Sequence, residues 1–169
     1  MALADGLLEQ ARFLARREAG RGRPRQASLR RAVSTAYYAV FHLLAADAAL
    51  QACSVSPPGL RDRVQRALTH ETMRQAANSF QASNLPIDLA SLLNHPIPAS
   101  LISTARSFAR LQEERHKADY DVTYQFDRTG VQSLVREAEQ LFADWAAIRN
   151  SDDAHLFLAS LMFWKQRAK

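Results

Sequence analysis

Between Ser28 and Leu50 the chain reads SLRRAVSTAYYAVFHLLAADAAL, a helix-compatible segment with apolar or small residues on most of its sides. A helix with one apolar stripe needs one neighbour, whereas a helix that is apolar nearly all round needs neighbours on every side. The segment therefore predicts a central helix ringed by others, with Ser28 as a candidate N-cap.

The flanking sequence supplies those neighbours. Leu3, Leu7, Ala11 and Leu14 mark one face of a first helix that Gly20 can end, followed by the basic loop GRGRPRQ. SVSPPG breaks the central helix, and LRDRVQRALTHETMRQAANSF then carries Leu60, Val64, Leu68 and Phe80 at helical spacing, reading as one third helix. Prolines at 86, 96 and 98 forbid a continuous helix from Gln81 to Pro98, although DLASLL can form a short turn. A fourth helix starts near Ala99 with Leu101, Ala105, Phe108 and Leu111 facing inward. Asp127 can cap the next, where Val131, Leu134, Val135, Ala138, Leu141, Phe142, Trp145 and Ile148 form the cleanest stripe.

After Asn150 and Ser151, AHLFLASLMFWKQR is apolar almost all round, so it should insert into the core or lie in a subunit interface. DVTYQF is the only short alternating run, and a lone strand has nothing to pair with. The expectation is all-α: an up-down bundle of five to six helices over residues 1–150, with residues 151–169 as an apolar helix packed on the bundle or in a dimer interface.

Length and composition bound the function. At 169 residues and 47% hydrophobic content, one domain with a sizeable core is expected. The only cysteine is Cys53, so neither an internal disulfide nor a cysteine-based zinc site can form. Acids and arginines interrupt the apolar part of the N-terminus, unlike a secretory signal, and no run of about 18 uncharged apolar residues occurs. A soluble, cytoplasmic protein with no membrane association is expected.

Charge is unevenly placed. Eight arginines between Arg12 and Arg31, among them Arg21, Arg23, Arg25 and Arg31, face a single acid, Glu18. Such a patch reads either as an anion or nucleic-acid surface or as a solvated, highly charged loop. A second concentration lies in EERHKADYDVTYQF, residues 113–126, where a helix should end.

No phosphate-binding glycine loop, His-Glu-x-x-His, Gly-x-Ser-x-Gly or Cys/His metal spacing is present, so no metal or cofactor is expected. What remains is a polar set on two helices: Arg30, Arg31, Ser34, Tyr37, Tyr38 and His42 on the second, and Arg110, Arg115, His116, Asp119 and Tyr120 late on the fourth. Arg115 and Asp119 lie about 40° apart around a helix axis and can pair, which would lock the helix end. Tyr37 and Tyr38 read as core-edge tyrosines and His42 as a hydrogen-bonded core histidine, while His70 has no obvious partner in the sequence.

The combination of RRAVSTAYYAVFHLL, HETMRQAANSF and ERHKADYDV, in that order over about residues 5–150, resembles HEPN-domain proteins, closest to a subgroup with an Arg-x-x-Ala-Asp-Tyr signature. The resemblance implies a helical bundle that usually dimerises, with the ends of the two fourth helices facing each other. It implies RNA or a nucleotide as ligand, and a toxin–antitoxin or phage-defence setting with an antitoxin, a nucleotidyltransferase or another defence protein as partner.

Many HEPN proteins are metal-independent endoribonucleases, whose motif is Arg, a polar residue, then His four to six residues beyond the Arg. In such a site the His serves as general acid/base and the Arg stabilises phosphate charge. Here Arg115 and His116 match the start, but Tyr120, Asp121 and Val122 stand where the second His should fall. Arg110 with His116 is a second register, about 120° apart on a continuous helix, with Leu111 where a polar residue is expected.

Three readings stay open. The first is a dimeric protein that binds RNA or a nucleotide, with a degenerate motif. Its candidate RNA contacts are Arg21, Arg23, Arg25, Arg31, Arg110 and Lys117. The second is an active ribonuclease using Arg115, His116, Asp119 and Tyr120. The third is a helical adaptor that docks through the apolar segment Leu156 to Trp164.

Overall fold

The computed structural model describes residues 2–17, 22–54, 58–93 and 95–165. Among these residues there is no strand, and eight helices follow in order: α1 (Ala2–Arg17), α2 (Gln26–Ala52), α3 (Pro58–Ala67), α4 (His70–Gln81), α5 (Ile87–Ala90), α6 (Ala99–Tyr120), α7 (Arg128–Ile148) and α8 (Asp152–Phe163). The all-α expectation holds, and the count of five to six is corrected to eight. Most of the excess comes from the 60–80 region, where one long helix was expected. Leu68 and Thr69 leave the helix, and the Thr69 hydroxyl accepts from the Thr72 amide at 3.2 Å, starting α4 afresh. Threonine favours such a cap because its side-chain oxygen satisfies an amide that the first turn leaves unpaired.

α2 is the axle. Leu29, Ala32, Val33, Ala36, Tyr37, Val40, Leu44 and Ala48 are fully enclosed, and α1, α3, α6, α7 and α8 all pack on it. It is also the one described helix long and apolar enough to cross a membrane by length and composition, yet most of its apolar window is buried against those neighbours. It begins at Gln26 rather than Ser28, with Arg25 at the capping position and no side-chain cap. The expected helix stop at Gly20 and the residues 55–57 of the SVSPPG break lie outside the described residues.

The inward face of α1 is shifted by one residue from the expected leucine stripe. Ala4, Leu8, Ala11 and Ala15 are buried, while Leu3 is 59% exposed. Alanines on that face let the α1 backbone approach α2 closely, and leucines would hold it off. The stripes of α6 and α7 point inward as the periodicity predicts, with Phe142 and Ile148 only half-buried.

α8 starts at Ser151, whose Oγ accepts from the Ala154 amide at 3.2 Å, and it packs on α4 and α2. Its Phe157 ring meets Phe80 at 5.0 Å and Trp145 at 6.2 Å between centroids. The DVTYQF run is not a strand; it is the loop between α6 and α7.

One buried polar junction ties α2 to α7. Asp47 accepts from Trp145 Nε1 at 2.7 Å and from Arg149 Nη2 at 2.6 Å. Removing a buried carboxylate strands both donors, so Asp47→Ala should lower stability by about 3 kcal/mol. Asp47→Asn should cost clearly less, because the amide oxygen still accepts from the indole. Urea unfolding of the two variants checks that order.

Candidate functional site

The charged stretch 113–126 is held by the first turns of α2. The Arg30 guanidinium donates to the carbonyls of Lys117 (3.2 Å) and Ala118 (2.9 Å) through Nη1, and to those of Asp121 (2.7 Å) and Tyr124 (2.5 Å) through Nη2. The last carbonyls of a helix have no intrahelical partner and carry its negative dipole end, so one planar cation on them satisfies hydrogen bonds and charge together. Four residues earlier, Gln26 grips Phe126 from both sides. Its Nε2 donates to the Phe126 carbonyl at 2.7 Å, and its Oε1 accepts the Phe126 amide at 3.0 Å.

Within the loop, Asp121 Oδ1 accepts from the Thr123 hydroxyl, the Thr123 amide and the Tyr124 amide. Those hydrogen bonds, the Thr123 side chain first, hold the Asp121 carboxyl below the usual carboxylate range. Asp127 then caps α7 by accepting the Gly130 amide at 2.9 Å. The basic loop is drawn to the same place: Arg128 donates to the carbonyl of Gly22, whose φ of 109° is a left-handed conformation that suits glycine.

The α6 end therefore lies beside the start of α2, and Arg23, Arg25 and Arg31 are exposed along that junction. Arg21 lies outside the described residues.

Arg115 is mostly enclosed. Its Nη2 donates to the Tyr38 hydroxyl at 2.6 Å, its Nε sits 2.6 Å from Asp119 Oδ2, and its guanidinium carbon lies 5.3 Å and 5.4 Å from the Tyr38 and Tyr120 ring centres. Burial works against its charge, but Asp119, Tyr38 and Tyr120 more than offset it, and the Arg115 pKa rises. The pair with Asp119 is a charge contact without an aligned hydrogen bond at Nε.

Beneath it lies an aromatic cluster. Tyr37, fully buried, has its hydroxyl 2.7 Å from His70 Nδ1, so His70 does have a partner, one supplied by tertiary packing across α2 and α4. Burial pushes the Tyr37 hydroxyl well above its ordinary pKa. His42 stacks near Tyr38 and meets Phe41 edge-on.

The two motif registers diverge. Arg110 is exposed and turned to α7, where its Nη1 meets Glu137 Oε2 at 2.9 Å. His116 is exposed on the α4 side, its ring 5.1 Å from that of Tyr120, and helps line a groove of about 540 Å³ with Glu71, Arg74, Gln112, Glu113 and Lys117. The structure thus brings Arg115, Asp119, Tyr120 and His116 to one helix end and leaves Arg110 on another face.

Gln112, Tyr38, Gln26 and Arg30 are neighbours that sequence reasoning does not assign to this cluster. Only Tyr38 and Arg30 carried a signal, as polar residues on a helix otherwise apolar. Among the described residues no group of three His, Cys, Asp or Glu side chains could hold a metal ion. No protein-family model, curated protein or solved structure matches the chain.

Arg30 supports the site without being part of a solvent-facing cation patch. Arg30→Ala should cost about 2 kcal/mol, since charge-assisted hydrogen bonds to otherwise unpaired carbonyls are lost. The amides of residues 118–126 should exchange with deuterium faster than in the native protein, while those of α7 beyond its first turn should not.

Stability should also depend on pH through His70 and His42. Burial foremost, then the Arg115 charge and His42, lowers the His70 pKa, and burial lowers that of His42. In the unfolded chain these rings take up protons near the ordinary value of about 6.5, before the folded ones do. The unfolded state then binds more protons, so stability falls as pH drops below about 6.5 and is level above it. Urea midpoints between pH 7.5 and 5.5 should decline, and a His42→Gln/His70→Gln variant should decline less steeply.

Proposed function

We propose that the chain is a HEPN-like protein that binds RNA or a nucleotide at the junction of α2 and α6, acting in a toxin–antitoxin or phage-defence setting in the cytoplasm. The observation that supports it best is the Arg30 and Gln26 clamp, which sets the basic segment 22–31 beside residues 113–126. Two charge concentrations nearly a hundred residues apart in sequence then act as one surface, and a phosphate backbone is attracted by summed positive potential.

Arg115 is already matched by Asp119 and Tyr38, so its first role is to hold the helix end and the two tyrosines in place. Phosphate contact falls instead to the exposed Arg23, Arg25, Arg31 and His116, and to Lys117. Tyr120, 63% exposed, and Tyr124, 39% exposed, offer ring faces on which unpaired bases stack. With Val122, 83% exposed, they also form a patch suited to a homodimer contact through the α6 ends. An antitoxin, nucleotidyltransferase or other defence protein is the kind of partner this setting involves.

The ribonuclease reading keeps support from one feature, the solvent-accessible His116 imidazole next to Arg115. Both readings are checked with one assay, single-stranded RNA incubated with the protein in EDTA. The binding reading expects intact RNA and affinity that falls with salt, with Arg23→Glu/Arg31→Glu weakening it at least tenfold. Cleavage leaving cyclic phosphate ends, lost in Arg115→Ala and His116→Ala, would instead establish the nuclease. Absence of both binding and cleavage would remove both readings.

A further inference from the structure

The groove between α4 and α6 contains a polar group that the fold leaves unanswered. Among the described residues two buried side-chain atoms lack a hydrogen-bond partner, Gln112 Oε1 and Arg115 Nε. Arg115 Nε is compensated by the Asp119 carboxylate at 2.6 Å. Gln112 Oε1 has no comparable neighbour, although its residue is only 9% exposed and forms part of the groove wall. A buried carbonyl without a donor is costly and rare in native proteins, and its persistence fits a ligand that supplies the donor.

The other groove residues narrow what that ligand is. Glu71 and Arg74 hold each other at 3.0 Å, Glu71 also accepts from Gln75, and Lys117 donates to Glu114 at 2.7 Å. The Glu71 carboxyl is held below its usual range chiefly by the Arg74 and Gln75 hydrogen bonds, so it stays charged and occupied. There remain the exposed Glu113 carboxylate, the Gln112 carbonyl and the exposed His116 ring, which leans on Tyr120. Two acceptors beside a flat ring call for a planar ligand with adjacent N–H donors.

We infer that this groove is a base-recognition pocket for guanine in single-stranded RNA, with the base stacked on His116 and its donor edge on Glu113 and Gln112. Guanine presents N1–H and an exocyclic amino group side by side, which one carboxylate accepts in parallel while the amide oxygen takes a remaining amino hydrogen. Adenine and cytosine place an acceptor nitrogen beside their amino group, opposite the carboxylate. Uracil offers one N–H flanked by carbonyls. A space of about 540 Å³ is in the range of small-molecule sites. Lys117, at the groove edge and one turn from the α6 end, lies toward the basic junction, where the strand would continue. This inference rests on the RNA-binding reading above and adds the base that is read.

The test uses the full chain and fluorescein-labelled pentanucleotides UUGUU, UUAUU, UUCUU and UUUUU, titrated by fluorescence anisotropy at fixed salt. The native protein should bind UUGUU about tenfold tighter than the other three. Glu113→Gln and Gln112→Met should each bring the four affinities within about twofold. Gln112→Met should keep or raise the melting temperature, because it removes the unanswered carbonyl, and Glu113→Gln lies on the surface, so loss of fold does not mimic the result.

Equal affinities in the native protein, or a preference for another base, would overturn the guanine pocket while leaving RNA binding intact. A guanine preference that survives both substitutions would place the reading of the base elsewhere and overturn it too. Failure of every oligonucleotide to bind would overturn the pocket together with the RNA-binding reading.

Discussion

The contact on which the rest of the site depends is a single guanidinium on the end of a helix. Arg30 donates into the carbonyls of Lys117, Ala118, Asp121 and Tyr124, and its guanidinium lies 6.0 Å from the Phe126 ring centre. A 22-residue helix would otherwise end in unpaired carbonyls pointing at water, followed by a loop free to wander. With Arg30 in place the helix stop, the Asp121 turn and the start of α7 are set relative to α2, the most buried element. Position along the axle of the bundle is thereby transmitted to a surface loop.

The polar groups around that end divide into those spent on structure and those left over. Arg30, Gln26, Asp121 and Asp127 are consumed by backbone groups, and Arg115 by Asp119 and Tyr38. What remains facing outward is His116, Tyr120, Glu113 and the arginines of the 22–31 segment. A phosphate and base site built from those residues would have a rigid floor and a mobile, charged rim. Such a division suits ligands held by summed charge and read by a few fixed groups.

Much of this was legible in the sequence. The stripes of α6 and α7, the Asp127 cap and the Arg115–Asp119 pairing follow from helical periodicity and capping chemistry, which are local. Where local rules compete with packing, reading fails. The leucines of α1 look like a core face, yet alanines take that place because two backbones must lie close. Thr69 carries a cap signal inside a stretch whose apolar spacing runs straight through it, and the cap prevails.

The site was less legible than the fold. Arg30 looks like one more member of a basic patch, and nothing local distinguishes it from the exposed Arg31. Their roles separate only because one faces α6 and the other faces solvent. The Tyr37–His70 link and the Gln112 carbonyl are likewise products of tertiary placement, joining α2 with α4 or exposing a wall between α4 and α6. The RxxADY-type ending of α6 marked the right region without saying which of its residues hold the fold.

The central claim is that the α2–α6 junction is where RNA sits. Ultraviolet crosslinking of the native protein to a single-stranded RNA, followed by mass spectrometric mapping of the crosslinked residues, tests it most directly. Crosslinks shared between residues 22–31 and 113–126, with Tyr120 or Tyr124 among them, are what the account predicts; crosslinks confined to α5 and α8, or none at all, would contradict it.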